Sequence, residues 1–342
     1  MISTCDIAVV GATGAVGEAM LTILGEREFP VGKLYPLAGE RSAGDSVMFR
    51  NRAHRVENLE GFDFTQVQMA FFSAGDDVSA EYVPRATEAG CIVIDNTSCF
   101  RYQDGIPLVI PEVNPEMLRV RPDCNIIANP NCSTIQMLVV LKPLHDMATI
   151  RRITVSTYQA VSGVGMKGVE ALAKQTTCLL NAREIETDVF SRQIAFNVIP
   201  HIDRFEESGY TREEMKMVWE TRKILDDETI QVNPTCVRVP VFYGHSESVN
   251  VETESQLSAA DARDLLEKAP GVAVVDEPAA GGYPTPVNDC SGKDEVFVGR
   301  IREDISCERG LNLWIVSDNV RKGAALNSIQ IAELLIKSPR SL

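Results

Sequence analysis

Residues 7–24 constrain the fold of this chain most. Ile7-Ala8-Val9-Val10 is a short apolar run ending at Gly11, as a strand buried on both faces does. Gly11-Ala12-Thr13-Gly14-Ala15-Val16-Gly17 follows, and Glu18-Ala19-Met20-Leu21-Thr22-Ile23-Leu24 then has helical spacing. A strand, a glycine turn and a helix, in that order, read as a dinucleotide site. The glycines permit the tight turn and let the backbone approach a pyrophosphate, which rests on the helix N-terminus. The spacing is G-x-x-G-x-x-G rather than the commoner G-x-G-x-x-G, so a glycine-rich turn without a ligand stays open as the alternative.

Further strands are expected at Lys33–Leu37, Met69–Ser73, Cys91–Asp95 and Ile126–Ala128, with a helix at Val78–Ala89. Pro36 makes the first of these the least regular. Strands alternating with helices imply a parallel sheet wound with helices, so the fold class is α/β with a Rossmann-type first domain. After residue 132 the pattern changes. Arg152–Tyr158 alternates like a strand with one wet face, Met166–Leu180 reads as a helix, and Cys236–Tyr243, Ser248–Glu252, Glu295–Ile301 and Leu311–Val316 add strands. This half is expected to be a second domain of α+β type with a mixed or antiparallel sheet. The amphipathic segment Val320–Ile336 is expected to return to the first domain. The boundaries that follow are 1–128 plus 320–342 for the nucleotide domain and 129–319 for the second.

At 342 residues the chain has room for two domains. Lys+Arg 33 against Asp+Glu 48 gives a net charge of -15, which argues against nucleic acid or an anionic membrane as a partner. No signal peptide or membrane-span-length apolar run is visible. The nine cysteines are scattered and include no C-x-x-C pair, so no metal is expected and reduced thiols in a cytoplasmic protein are the simplest reading.

Cys132, in Asn129-Pro130-Asn131-Cys132-Ser133-Thr134, precedes the apolar run Ile135–Leu141 and stands in or just before the first turn of a helix. Unpaired N–H groups and the positive dipole end favour an anion there, so the thiol can ionise near neutral pH and act as a nucleophile. A buried structural cysteine is the alternative. At the end of the second strand, Arg41 and Ser42 suit the 2′-phosphate of NADP, although Glu40 could instead serve a ribose hydroxyl. Of four histidines, His245 follows a predicted strand and Gly244, where a loop could present it to a cleft. An isolated histidine is more often at the surface or hydrogen-bonded in the interior. Arg238 could bind a carboxylate in a bidentate manner, or point outward from its strand. Glu213 and Lys216 share a helix face, where a solvated ion pair is the default.

Together these segments resemble the aspartate-β-semialdehyde dehydrogenase family. The resemblance runs through Gly11–Gly17, Arg41–Gly44, Asn129–Thr134, Gln159–Gly163, Glu213–Lys216, Arg238–Ser246 and Asp318–Gly323. It implies reversible reduction of L-aspartyl-4-phosphate to the semialdehyde with NADPH and release of phosphate, feeding lysine, threonine and methionine biosynthesis. Cys132 would form a thioester, His245 would be the acid/base, and Gln159 would orient the acyl group. Arg238 would hold the α-carboxylate and Glu213 the amino group, with Arg101 and Lys216 at phosphate-binding positions and Asn131 in the substrate site. Gly11, Thr13, Gly14, Ala15, Val16, Arg41, Ser42, Ser162, Gly163 and Asn319 match cofactor positions. A homodimer or homotetramer is implied, and with it a catalytic and dimerisation role for the second domain. One departure is Asp76-Asp77 after Ser73-Ala74-Gly75, where another glycine is expected. The nearest enzymatic alternative is an N-acetyl-glutamyl-phosphate reductase, against which the Arg41–Gly44 and Gln159–Gly163 segments speak. A binding or regulatory relative would be expected to lose the thiol or the base, and both Cys132 and His245 are present.

Overall fold

The apolar run before the glycine turn forms β1 (Cys5–Val10), and α1 (Ala15–Glu26) follows it directly. A Cβ at Gly17 would lie 2.2 Å from the Gly11 carbonyl oxygen, so the third glycine is what lets the helix sit against the turn. In this computed structural model, residues 4–119 and 122–337 are described. Met1-Ile2-Ser3 and the 338–342 end of the expected first domain lie outside them. The chain divides into two compact units, Met1–Asn131 with Ala324–Leu342, and Cys132–Gly323.

In the first unit, β2 (Val31–Ala38) is followed by a hairpin of β3 (Ser46–Phe49) and β4 (Arg52–Arg55), and by the short β5 (Glu57–Asn58). Then come β6 (Met69–Phe72), α2 (Asp76–Glu88), β7 (Ile92–Asp95) and β8 (Ile126–Ala128). Six strands pair in parallel in the order β5-β2-β1-β6-β7-β8. Strand order reverses at β1 and β6, and a ligand crevice is expected beyond their carboxyl ends. Pro36 is accommodated inside β2 because β5 pairs the outer edge only at Leu37 and Ala38. Helix α2 begins two residues before the predicted Val78. Gly75, at φ +103°, turns the chain into it, and Asp76 and Asp77 stand in its first turn, where the dipole favours carboxylates.

The second unit opens with α3 (Cys132–Ala148), β9 (Ile150–Gln159), α4 (Met166–Leu180) and α5 (Arg212–Leu225). It continues with β10 (Gln231–Arg238), β11 (His245–Thr253), α6 (Ala259–Leu266), β12 (Val272–Val274), β13 (Val296–Glu303) and β14 (Gly310–Ser317). The strands form a mixed sheet in the order β10-β9-β11-β14-β13-β12. The strand expected at Cys236–Tyr243 is displaced: β10 ends at Arg238, opposite Gln159 at the end of β9, and after the Val239 N–H to Gln159 carbonyl bond Pro240 brings no N–H to extend the ladder. His245, expected in a loop, is instead the first residue of β11. Helix α3 lies across β9, β11, β13 and β14. It is buried almost all round, as a helix apolar on every side must be.

After a π-helical turn, Arg321–Ala325, α7 (Leu326–Lys337) packs Leu326, Ile329, Ile331, Ala332 and Leu335 into the core of the first unit with Ile7, Val9 and Leu24. No helix among the described residues is long and apolar enough to cross a membrane.

Gly17→Ala is expected to destabilise the first unit by about 1–3 kcal/mol, as overpacking against rigid backbone does. A chemical-denaturation midpoint equal to that of the parent protein would show that α1 can move off the turn at no cost.

Candidate active site

The nucleotide motif and the catalytic motifs fall in different units, and each forms a site of its own. In the first unit, Gly11 has φ +86°, and α1 starts without a side-chain cap, leaving its first N–H groups to a ligand. A cleft of about 520 Å³ is lined by Gly11, Thr13, Gly14, Gly39, Arg41 and Ser42, together with Ser73, Ala74 and Tyr82. Ala15 and Val16 are the first two residues of α1, directly behind the turn. Glu40 is not among the lining residues; Glu60 and Glu81 are. The Asp76-Asp77 departure has a local explanation: Asp76 accepts from the Ser98 N–H at 2.8 Å and from its hydroxyl at 2.6 Å. Arg101 and Asn131 also belong to the first unit and are both buried. The Arg101 Nη2 donates to the Asn96 carbonyl at 2.8 Å.

In the second unit, the structure gathers Cys132, Gln159, Ser162, Gly163, Glu213, Lys216, Arg238, His245 and Asn319 around the ends of α3, β9, β10 and β11. Cys132 is partly buried at the first position of α3. A Cβ on Gly323 would lie 2.8 Å from the Cys132 Cβ, so glycine there lets the chain pass close to the thiol. The Gln159 side chain, 1% exposed, donates through Nε2 to the Ser133 hydroxyl and to Glu213 Oε1, both at 3.1 Å. Glu213 in turn accepts from Lys216 Nζ at 3.1 Å, and Lys216 also reaches Asp203 at 2.8 Å. The solvated pair expected at 213 and 216 is therefore a largely buried chain of alternating charge. Burial works against the ionised Asp203, but the Lys216 ammonium outweighs it and holds the carboxyl below its usual value.

Arg238 does not point outward. It is 4% exposed and donates Nη1 to the Ala160 carbonyl at 2.7 Å. No carboxylate pairs with it among the described residues. Burial lowers its pKa, and Glu213 and Cys132 act in the opposite sense. The same peptide unit region serves His245, whose Nδ1 accepts the Ala160 N–H at 3.1 Å. That bond places the hydrogen of the neutral ring on Nε2, which has no partner among the described residues. Burial first, and the neighbouring Arg238 second, push His245 down to about 3. Asn319 Oδ1 accepts from the Gly244 N–H at 3.0 Å and from the Ser162 hydroxyl at 3.1 Å, so these two residues brace the turn into His245. A Cβ at Gly163 would meet Arg238 Nη1 at 2.6 Å and His245 Nε2 at 3.5 Å. The bare glycine thus keeps open the space over both groups.

Sequence reasoning missed Ser133, Asp203 and both polar groups of Ala160. Ser133 had a signal, its place beside Cys132. A backbone peptide carries none.

Two family models match the chain, "Semialdehyde dehydrogenase, NAD binding domain" over residues 6–120 and "Semialdehyde dehydrogenase, dimerisation domain" over residues 141–322. Aspartate-semialdehyde dehydrogenase of Legionella pneumophila is 59% identical over 96% of this chain and 95% of its own length. This chain belongs to the aspartate-semialdehyde dehydrogenase family. The crystal structure of aspartate semialdehyde dehydrogenase II from Vibrio cholerae is similar at TM-score 0.96 and 57% identity, covering 98% of this chain and 100% of that one. The family member from Candida albicans, solved with NADP, matches at TM-score 0.78 and 25% identity, over 99% of this chain and 100% of its own. No group of residues able to hold a metal ion is found among the described residues.

Gly163→Ala is expected to displace the Arg238 guanidinium and raise KM for an anionic substrate at least about tenfold, the scale of one charge-assisted hydrogen bond. Steady-state kinetics with an unchanged KM would show that the space over Arg238 is not used. His245 gives a second expectation. Its folded pKa lies below the free value, so the unfolded chain binds the extra proton, and stability present above pH 6.5 is lost as pH falls toward 3. Thermal unfolding of His245→Asn should therefore decline less steeply with acid than that of the parent; parallel curves would place the ring in contact with water.

Proposed function

We propose that this protein reversibly reduces L-aspartyl-4-phosphate to L-aspartate 4-semialdehyde with NADPH, through a thioester on Cys132, as a step of amino-acid biosynthesis. The observation that carries this reading is Arg238, a buried arginine near the nucleophile that has no carboxylate at ion-pair distance among the described residues, with Glu213 acting on it only through space. A buried cation without an ion pair calls for an anion from outside, and the α-carboxylate of an aspartyl group supplies one.

The first-unit cleft fits a dinucleotide: an uncapped helix start for the pyrophosphate, and Arg41 with Ser42 for a 2′-phosphate. The nucleotide in the Candida albicans structure and the absence of Glu40 from the lining both support NADP over NAD. Bound there, NADPH supplies the hydride. Gly11, Thr13, Gly14, Ala15, Val16, Arg41 and Ser42 would hold it.

The Cys132 thiolate attacks the acyl phosphate carbon, the C–O bond to phosphate breaks, and the acyl group stays on sulfur. Gln159, held by Ser133 and Glu213, orients that acyl group. We assign the acid/base position to His245: its Nδ1 is taken up by the Ala160 N–H, so the neutral ring presents its Nε2–H as the donor to the oxyanion at the acyl carbon, and a proton could be accepted at Nε2 only after the Ala160 bond is given up and the hydrogen moves to Nδ1. Arg238 grips the α-carboxylate and Glu213 the amino group, while Lys216 receives the phosphate side of the substrate. We place nucleotide binding in the first domain and catalysis with self-association in the second. The dimerisation-domain match supports a homodimer, and so do the Tyr158 and Trp314 rings, 5.6 Å apart on the sheet with Tyr158 exposed.

Phosphate-dependent oxidation of aspartate semialdehyde tests the reading. Cys132→Ala should lose more than about 10³-fold in turnover, the scale expected for a missing nucleophile, and still bind NADP. The parent protein, incubated with substrate without nucleotide, should show an acyl adduct at Cys132 by mass spectrometry. Arg41→Ala should raise KM for NADP about 10–100-fold and leave KM for NAD unchanged. Turnover of only the N-acetylated glutamate analogue, or full activity of Cys132→Ala, overturns the assignment.

A further inference from the structure

Glu247 lies two residues beyond His245 on β11, on the same face of the strand, and is 0% exposed. In the sheet register it stands opposite Thr157 of β9 and Ile315 of β14. The Ser133 hydroxyl and the Gln136 amide of α3 are its polar neighbours. Neither carboxyl oxygen completes a well-aligned hydrogen bond, and no Lys or Arg pairs with it, among the described residues. A carboxylate in that position would be a charge removed from water and without a cation, with only Ser133 and Gln136 acting in its favour, and burial outweighs them. Burial accordingly holds its carboxyl well above the usual range. The titratable and charged groups around this region are Cys132 on α3, Glu213 and Glu214 on α5, Cys236 and Arg238 on β10, and His245 on β11. Burial, with Glu213, pushes the Cys236 thiol well up as well.

We propose that Glu247 is a positioning residue that works as a neutral carboxylic acid, its O–H directed at the Ser133 oxygen and its carbonyl oxygen at the Gln136 amide on α3, so that Ser133 holds Gln159 in line with Glu213. The inference rests on the catalytic reading of Cys132, Gln159 and Glu213 given above. Ser133 is the link: it accepts from Gln159 at 3.1 Å on one side and adjoins Glu247 on the other. An O–H aimed at the serine oxygen leaves that serine fixed next to the nucleophile.

Three variants separate this from a merely structural role. Glu247→Gln keeps shape and donor but cannot ionise, Glu247→Leu fills the space without polarity, and Ser133→Ala removes the link. The folded parent keeps a proton that its unfolded chain releases, so its stability falls as pH rises above the free glutamate value. The Tm of Glu247→Gln should thus equal the parent's near pH 4.5 and exceed it increasingly toward pH 8. A Tm difference that does not change with pH would mean that Glu247 is charged in the fold, and the proposal fails. With aspartate semialdehyde, Glu247→Leu should lower kcat about tenfold with a smaller change in KM, and Glu247→Gln should restore kcat to within about threefold of the parent. The double variant Glu247→Leu/Ser133→Ala should be no slower than the worse single variant, as expected for residues on one path. Unchanged kcat in Glu247→Leu, or additive losses, overturns the positioning role. If Glu247→Leu does not fold, the Tm series of Glu247→Gln still decides. If the parent protein fails to oxidise aspartate semialdehyde, the functional reading falls while that series still reports the charge state of Glu247.

Discussion

The burial of α3 is the constraint from which the second unit is built. A helix with Ile135, Met137, Leu138, Val139, Val140 and Leu141 all inside cannot rotate or slide without exposing some of them. Its first residue is consequently fixed to the same tolerance as the core. Cys132 occupies that residue, where the chain leaves β8 through Asn129-Pro130-Asn131 and the positive end of the helix dipole lies. The thiol thus receives both its position and its electrostatic setting from an apolar helix that contributes no chemistry itself.

Around that fixed point, a single residue without a functional side chain does much of the positioning. The Ala160 carbonyl takes Arg238 and the Ala160 N–H takes His245, so the anion-binding group and the acid/base group share one anchor. Any shift of β9 moves both together, which preserves their separation. Asn319 fixes the other side of His245 through Gly244, and Gly163 keeps the space above them empty. Precision here comes from backbone and from an absent side chain, and neither can be substituted away from the positions where strand ends meet.

Those devices explain which parts of the molecule were legible in the sequence. The β1–turn–α1 unit was, because Gly11 and Gly17 are required by φ and by contact, and such requirements leave glycines behind. The strand at Ile126–Ala128 and the helix at Met166–Leu180 were read to the residue, since punctuation and periodicity agree there. The approach to His245 was not. Cys236–Tyr243 looks continuous as an apolar run, yet Pro240 ends the pairing at Arg238, and pattern alone does not weigh one missing donor against seven strand-forming neighbours. Burial of Arg238, Glu213 and Glu247 was invisible for a related reason: each is a charged residue on an alternating strand or helix face, and composition assigns such residues to solvent. Ala160 left no trace because its contribution is entirely main chain.

The buried polar groups of the second unit follow one rule, and it accounts for the charge the site presents. Where partners exist, opposite charges stand together: the buried Glu213, Lys216 and the more exposed Asp203 alternate in sign and hydrogen-bond in series. Where partners are missing, burial removes the charge, so His245 stays neutral down to about pH 3 and Glu247 holds its proton. Arginine is the one exception the rule permits, since its guanidinium retains the proton even when burial lowers its pKa. Arg238 is left as a cation without an ion-pair partner among the described residues, in a protein of net charge -15. The overall field of the protein repels anions, so selectivity for an anionic substrate must come from short-range contact with that one side chain rather than from steering at a distance. Added salt should consequently affect substrate capture through competition at Arg238 and little through screening of the surface.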